Sequence, residues 1–258
     1  MNALWQRFLF ALRQKKQKAH PPLGPIQILS RHCIFSSISQ HKKRPPGYSR
    51  EACYRNLQAH LDPQRAKITY FLDLAKGSRL DHFLQESDPV VEFKAGSEAG
   101  SFLQVLDYVE TLNLHPQTIL YFVEDDYLHR EGWLDVLLEG FQVPGVEYVT
   151  LYDHRDKYFF PSYKKLSSKI FITPSCHWRE TPSTTNTFAV RYETLMRHLP
   201  IHRKFSTKRT ISADHAKFCF LNKLGSTLIS PIPGWSTHMD PEFISPCFDW
   251  DKLLKTFV

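Results

Sequence analysis

The chain has 258 residues, of which 42% are apolar and 14% aromatic, so it can bury a substantial core and is not expected to be disordered. Its five cysteines are widely spaced with no CxxC pair, which favours neither a zinc knuckle nor a disulfide framework and predicts a reducing compartment. No apolar run approaches the ~18 residues of a membrane span, and no cleavable signal pattern follows the N-terminus, so secretion is not expected.

The net charge of +7 belongs to the N-terminal fifth of the chain. Residues 1–50 contain ten Lys or Arg and no Asp or Glu, and the remaining residues carry 23 bases against 26 acids, a net charge of −3. A body with that balance does not present a broad face for phosphates. We therefore predict no nucleic-acid partner.

The first residues have the pattern of a basic amphipathic helix. Five apolar residues fall on one helical face, flanked by Arg and Lys up to position 18. They are Leu4, Trp5, Phe8, Leu9 and Leu12. Such a pattern is typical of a helix on an anionic membrane surface, here through residues 4–18. A helix packed on the protein's own core and a transit-like leader are the alternatives.

A proline-rich stretch at 21–25 separates this segment from the body of the chain. We predict a basic leader with its linker at residues 1–23 and one domain at residues 24–258. The expected location is cytoplasmic, and peripheral on the inner face of a membrane if the leader binds there.

From residue 26 onward, short apolar strands alternate with longer amphipathic stretches, as in a parallel sheet with crossover helices. Strands are predicted at 26–29, 68–72, 90–93, 118–123, 147–152, 170–173 and 227–229. Helices are predicted at 49–61, 78–86, 99–112, 131–139, 191–199 and 213–224. The alternation predicts an α/β domain.

The predicted strand at 118–123 runs directly into Glu124, Asp125 and Asp126. A continuous apolar run of that length is typical of a strand covered on both faces, and open α/β sheets bind ligands at the carboxyl ends of such strands. Glu124 and Asp126 project to one side of an extended chain, and Asp125 projects to the other. Two carboxylates could therefore meet a hard cation, although a solvated acidic turn is the alternative.

A helix start and a basic loop carry further candidate residues. Gly96 and Gly100 permit close backbone approach, and the free N–H groups of a helix start favour a diphosphate or sugar hydroxyls. Ser97 could cap that helix, and a plain cap without a ligand is the alternative. Arg44 and Arg50 lie in a loop that we expect to be solvated, with phosphate contact as the alternative.

Three stretches together resemble the nucleotide-sugar glycosyltransferases of the GT-A fold, in particular their large family-2-like group. They are residues 94–101, the triplet 124–126, and the later pair Asp214 and His238. The resemblance implies a mixed, mostly parallel central sheet flanked by helices in a single domain. It also implies a donor half at about 24–126 and an acceptor half at about 127–258.

The resemblance implies how a nucleoside-diphosphate sugar, with a UDP-sugar favoured, would be held. The residues that would contact the donor are Asp73, Gly96, Ser97, Glu98, Glu124 and Asp125. Asp73 corresponds to the acid that meets the base or ribose, and a turn acid is its alternative. The metal ligands implied are Asp126, Glu124 and His238, holding Mn²⁺ or Mg²⁺, and an imidazole suits Mn²⁺ better. A structural histidine is the alternative for His238.

The same resemblance implies a role for Asp214, which corresponds to the catalytic base of inverting GT-A glycosyltransferases. Capping of the helix by Ser212 or Asp214, His215 as the base, and a retaining mechanism are the alternatives. Asp153, Trp178 and Trp235 are candidates for binding a saccharide or lipid-linked acceptor. An aromatic plane could stack on a sugar, although a Trp is as often packed in the core.

The resulting prediction is a metal-dependent glycosyltransferase acting on a hydroxyl acceptor, inverting with a carboxylate base. A nucleotidyltransferase on a related α/β scaffold is the enzymatic alternative, but residues 27–32 lack the Gly/Arg/Lys triphosphate loop it would carry. A nonenzymatic nucleic-acid-binding protein is supported by the pI alone.

Overall fold

The computed structural model describes residues 25–36 and 41–258. The predicted leader at 1–23, with its membrane-facing segment 4–18, lies outside the described residues. Among the helices in the described ranges, none combines the length and the apolarity needed to cross a bilayer.

The described chain alternates strands and helices through most of its length. The strands are β1 (Ile26–Cys33), β2 (Ala66–Asp73), β3 (Val90–Phe93), β4 (Ile119–Glu124), β5 (Tyr127–His129), β6 (Val146–Val149), β7 (Ile170–Ile172), β8 (His177–Glu180), β9 (Phe188–Arg191), β10 (Thr227–Ile232) and β11 (Ser236–His238). The helices are α1 (Arg50–Ala59), α2 (Glu98–Thr111), α3 (Trp133–Gln142), α4 (Asp156–Phe159), α5 (Tyr192–Lys204), α6 (Asp214–Lys223) and α7 (Trp250–Leu254).

A nine-stranded sheet with the order β3-β2-β1-β4-β9-β6-β10-β8-β7 forms the centre of the described domain. The pairings place seven strands in one direction and only β9 and β8 in the other. The sheet is therefore mixed and mostly parallel, which confirms the predicted fold class. The short strands β5 and β11 form a separate antiparallel ribbon.

Strand β4 is apolar at every position before Glu124 because helices cover both faces of the sheet around it. Tyr121 packs with Trp133 of α3 in one core cluster, whereas Phe122 packs with Phe102 of α2 in the other. All four side chains are fully buried. Alternate residues of one strand thus belong to two cores, and this removes the polar positions that a half-exposed strand would show.

The predicted helix at 78–86 is wrong. The structure has only a short 3₁₀ turn at Arg79–Asp81, in which Asp81 accepts hydrogen bonds from the backbone and side chain of Ser78. Leu80 is 94% exposed, whereas Leu84 is buried. Without a continuous apolar face, nothing packs the turn onto the core and extends it into a helix.

The predicted strand at 147–152 ends early, at Val149. Beyond it, Tyr152 makes only an isolated bridge to Ser236. The strands β5, β8 and β11 were not predicted, and each has only three or four residues, too few to show a period.

Parallel strands β1, β2 and β4 end at Cys33, Asp73 and Glu124. Because they are neighbours in the sheet and point the same way, the chain leaves all three at one edge. This edge positions the candidate site.

Candidate functional site

A cavity of about 310 Å³ opens at the carboxyl ends of β1, β2 and β4. Its wall contains every residue predicted to bind donor or metal or to act as the base. These are Asp73, Gly96, Ser97, Glu98, Glu124, Asp125, Asp126, Asp214 and His238. The fold thus brings together residues that are separated by up to 165 positions in the chain.

Each carboxylate of the triplet is paired with a different arginine. Glu124 accepts from Arg31 at 2.6 Å, between Oε1 and Nη2. The other two pairs are Asp125 with Arg50, at 3.5 Å between Oδ1 and Nε, and Asp126 with Arg44, at 2.9 Å between Oδ2 and Nη2. Three positive charges therefore compensate three negative ones.

The loop that carries Arg44 and Arg50 is not the solvated basic loop that the sequence predicts. The side chain of Arg44 is 14% exposed and that of Arg50 is 21% exposed. Arg44 also donates to the carbonyl of Met239 at 2.7 Å, and Arg50 donates to the carbonyl of Cys33 at 2.7 Å. The buried carboxylates hold both guanidinium groups against the body of the protein.

Asp126 and His238 meet at 2.9 Å, between Oδ2 and Nε2. The β5–β11 ribbon sets this contact, because it pairs Tyr127 with His238, and the backbone N–H of Met239 donates to the carbonyl of Asp126. The Tyr127 ring stacks on the imidazole, with centroids 5.3 Å apart. Burial alone would raise the pKa of Asp126, but His238 and Arg44 lower it well below its usual range. Asp126 is therefore ionised at neutral pH.

The other two acids of the triplet have the opposite shift. Burial raises the pKa of Glu124 to about 7, although Arg31 opposes the shift. Burial also raises the pKa of Asp125 to about 6, against the charge of Arg50. Asp125 turns away from its neighbours, as predicted, and accepts from the backbone N–H of Cys33 at 3.3 Å. Asp126 is therefore the hardest acid of the triplet to protonate, and Glu124 is the easiest.

A complete three-ligand metal site is not preformed. Within residues 25–36 and 41–258, no group of three or more His, Cys, Asp or Glu side chains is arranged to hold a metal ion. Glu124 is turned to Arg31 instead of joining Asp126 and His238. Asp126 Oδ2 and His238 Nε2 are hydrogen-bonded to each other, and Arg44 also donates to Oδ2, so an ion held by this carboxylate and imidazole would have to replace those contacts. Water and substrate phosphates would have to complete the ligands of a Mn²⁺ or Mg²⁺ ion there.

A buried polar network links the triplet to Asp214. Arg31 bridges Glu124 and Glu98, with Nη1 3.0 Å from Glu98 Oε1. Glu98 also accepts from the Asn186 amide at 2.8 Å. Lys217, which is fully buried, donates to Asn186 and, at 3.0 Å, to Asp214. Both oxygens of Glu98 are in use, because Oε2 accepts from the backbone N–H of Ser212 at 2.7 Å.

Sequence reasoning missed Arg31, Asn186 and Lys217 as members of the site. Lys217 had a signal, since it follows Asp214 by three residues and so shares its helix face. Arg31 and Asn186 had none, because a lone Arg in a strand and a lone Asn in a polar run are common.

Asp214 is the first residue of α6 and does not cap it. The cap position is Ala213, with no side-chain hydrogen bond. The hydroxyl of Ser212 is paired with that of Ser206 at 3.0 Å. The capping alternative for both residues is therefore excluded. Burial raises the pKa of Asp214, with Lys217 opposing and Glu98 reinforcing the shift, and a higher pKa makes a carboxylate a stronger base.

Asp73 joins the ends of β2 and β3. Its carboxylate accepts backbone hydrogen bonds from Ala75 at 2.9 Å, Ala95 at 3.1 Å and Gly96 at 2.8 Å. Gly96 has a φ of +70°, which only glycine adopts without strain. Ser97 caps α2 by accepting from the N–H of Gly100 at 3.1 Å, which confirms its predicted cap. Asp73 therefore acts as a turn acid, which was the alternative to a contact with the base or ribose, and it also lines the cavity.

The three acceptor candidates lie outside the cavity wall. Trp178 is fully buried against Gly140 and Val149, so neither ring face can stack on a sugar and that prediction is wrong. Asp153 is fully buried and paired with Arg179 at 2.6 Å, so the prediction of an acceptor contact there is wrong for the same reason. Trp235 has a guanidinium, that of Arg130, stacked 4.1 Å from its ring centroid.

No protein-family model matches the sequence, and no curated protein matches it. The fold nevertheless resembles that of GT-A glycosyltransferases of known structure. The chain is similar to the structure of Staphylococcus aureus TarS residues 1–349, with a TM-score of 0.52 and 10% identity over 85% of this chain. It spans 61% of that fragment's length.

Two further solved structures are similar to this chain at lower TM-scores. One is the galactosyltransferase LgtC in complex with donor and acceptor sugar analogues, at a TM-score of 0.45 and 9% identity, covering 78% of this chain and 72% of that one. The other is CMP:2-keto-3-deoxy-manno-octonic acid synthetase with CTP, at a TM-score of 0.48 and 12% identity, covering 90% and 98%.

We predict that Arg31→Ala destabilises the protein by about 3 kcal/mol, because it leaves Glu98 and Glu124 without their shared cation. Chemical denaturation measures the loss. The matched control is Arg65→Ala, whose ion pair with Asp135 is exposed on both sides, and it should cost less than about 1 kcal/mol. Equal losses in the two variants would contradict the assigned role of Arg31.

Proposed function

We propose that the protein is a metal-dependent glycosyltransferase that moves a sugar from a nucleoside-diphosphate sugar to a hydroxyl acceptor. The observation that carries the proposal is the contact of Asp126 with His238, 112 residues apart, inside a cavity that Asp214 also lines. A carboxylate and an imidazole held together at the sheet edge suit a divalent cation, and the carboxylate of Asp214 suits proton transfer.

The donor's diphosphate would lie against Asp126 and His238. A bound Mn²⁺ or Mg²⁺ supplies positive charge to the leaving diphosphate. Lys42, Arg50 and Lys76 line the same cavity, but Arg50 is paired with Asp125 and Lys42 with Asp240, so the acidic wall needs the added charge of the cation to hold a diphosphate. Asp73, Ser97, Glu98, Glu124 and Asp125 shape the donor side, and the Cβ-free backbone at Gly96 permits close approach. A UDP-sugar is the donor we favour, and TarS has been solved in complex with UDP-GlcNAc.

Asp214 would act as the base of an inverting transfer. Its carboxylate takes the proton of the acceptor hydroxyl while that oxygen bonds to the anomeric carbon and the nucleoside diphosphate leaves with the bonding electrons. The side chain of Asp214 is 20% exposed and faces the cavity, so an acceptor can reach it. Lys217 holds the carboxylate in place from the buried side at 3.0 Å. The acceptor is a saccharide or a lipid-linked hydroxyl compound.

We further propose that residues 4–18 hold the enzyme on an anionic membrane surface at the inner face of a membrane, with the catalytic domain in the cytoplasm. The support is the apolar helical face between positions 4 and 12 and its basic flanks.

Thermal unfolding with UDP or GDP, each with and without Mn²⁺, tests donor binding. We expect one nucleotide to stabilise the protein in a metal-dependent way, by about 2.7 kcal/mol at a hundredfold excess over its dissociation constant. Asp126→Ala should abolish the metal-dependent part, whereas the exposed Asp135→Ala should not. Absence of stabilisation by any nucleoside diphosphate would count against the proposal, and stabilisation by CTP alone would favour a nucleotidyltransferase.

Asp214→Asn tests the base. We expect transfer to fall by about 10²- to 10⁴-fold, because the amide cannot accept the acceptor's proton, while stabilisation by the donor nucleotide is retained. The matched control is Asp251→Asn, in the first turn of α7, which should transfer normally. Full transfer by the Asp214 variant would refute the assignment.

Deletion of residues 1–20 tests the leader. The truncated protein should be released from anionic vesicles, because it lacks both the apolar face and the nearest five basic residues. Co-sedimentation with vesicles measures the effect. Unchanged binding would show that the leader does not contact the membrane.

A further inference from the structure

Exposed apolar side chains are concentrated in one short part of the chain. Twelve large hydrophobic side chains are exposed among the described residues, and six of them lie between positions 158 and 172. They are Tyr158, Phe159, Phe160, Leu166, Ile170 and Ile172. Single exposed apolar residues are ordinary, but such a cluster is typical of an interaction surface.

The same part of the chain is free of carboxylates. No Asp or Glu occurs from position 157 to position 179. Lys164, Lys165 and Lys169 are exposed there, between the apolar residues. Lys157 and Arg179, by contrast, are buried and paired with Asp156 and Asp153. The charge that this surface presents to solvent is therefore positive.

The segment around α4 and the edge strand β7 meet on one face of the sheet. Ile170 lies opposite Arg179 in the antiparallel pair, so their side chains share a face, and Ile172 follows on the same face. The Arg179 guanidinium lies 5.0 Å from the centroid of the Tyr158 ring. On the opposite face, Phe171 packs into the core.

The aromatic part of this surface is held in place by neighbouring rings. Phe159 and Phe160 are 4.8 Å apart between centroids, and both contact Phe243, at 6.4 and 6.0 Å. Both rings therefore pack on Phe243 and remain exposed to solvent. We call the six apolar residues and the three exposed lysines together the basic apolar surface.

We infer that the basic apolar surface is a second membrane-contacting site, which binds anionic lipid independently of the leader. Exposed aromatic and aliphatic side chains among lysines suit the boundary between lipid headgroups and acyl chains. The lysines add attraction to anionic headgroups.

Charge argues against the other occupants of this surface. A second copy would bring one acid-free lysine surface against another. The N-terminal leader of the same chain is also basic and lacks acids throughout residues 1–50. Like charges repel in both cases, whereas an anionic bilayer attracts the surface. Strand β7 has only three residues, which limits edge-to-edge pairing with another chain.

The chain between the two parts of the surface contacts the neighbour of Asp214. The hydroxyl of Tyr163, between α4 and β7, lies 3.2 Å from Nδ1 of His215, the residue after Asp214. A bilayer on the basic apolar surface would lie on the Asp214 side of the cavity, which suits a lipid-linked acceptor. This last consequence rests on the proposed function, but membrane binding does not.

Titration of the full chain with vesicles of phosphatidylcholine and phosphatidylglycerol tests the inference. We expect Lys164→Gln combined with Lys165→Gln to weaken binding by about 30-fold, since each lysine near an anionic surface contributes roughly a factor of five. The control is Lys252→Gln combined with Lys255→Gln in and just after α7, which removes the same charge elsewhere and should bind as the unsubstituted protein does. Equal affinities of the two double variants would overturn the inference.

A second pair of variants tests the apolar contribution. Ile172→Ser should weaken vesicle binding by roughly tenfold, whereas Leu80→Ser, at an even more exposed position, should not. If Ile172→Ser instead converts a dimer to a monomer in sedimentation without vesicles and leaves vesicle binding unchanged, a second copy covers the surface and the inference is wrong. These measurements need no donor or acceptor, so failure here is distinguishable from failure of the proposed transfer.

Discussion

Three carboxylates follow one another where β4 leaves the core, and each is compensated by a different arginine. The arginines come from separate places, with Arg31 in β1, Arg44 in the loop after it and Arg50 at the start of α1. Buried like charges would repel one another and disfavour folding without them. This compensation joins the N-terminal part of the described domain to the centre of the sheet, and Arg31 and Arg50 also line the cavity.

The three acids of the triplet differ in how readily they take up a proton. Glu124 and Asp125 have raised pKa values because burial outweighs their arginines, whereas His238 and Arg44 keep Asp126 ionised. The ribbon of β5 and β11 supplies His238, and the network through Arg31, Glu98 and Asn186 continues to Asp214 and Lys217. The cavity wall thus combines one ionised carboxylate beside an imidazole with a separate acid, Asp214, and the proposed cation-assisted transfer rests on this combination.

Elements with a strong local signal were predictable. The strand at 90–93 has the predicted bounds. Strand β4 is displaced from its prediction by one residue, and its continuous apolar run is the signal of a strand covered on both faces. The turn at Arg79–Asp81 has a capping box but no apolar face, so the local signal indicated a helix that packing does not support. Trp178 has an ambiguous signal, since an aromatic ring can bind a sugar or fill a core, and the space beside Gly140 decides for the core.

The sequence by itself determined an α/β domain, the acidic triplet at a strand's carboxyl end, and a set of donor, metal and base candidates that proved to line one cavity. These follow from hydrophobic periodicity and from the common edge of parallel strands, both of which are local or topological. Only the tertiary structure decided that Glu124 turns to Arg31, that Glu98 is fully engaged in hydrogen bonds, and that Trp178 is buried. Those outcomes depend on which side chains meet across tens of residues, where charge compensation and packing, rather than any local pattern, select the partner.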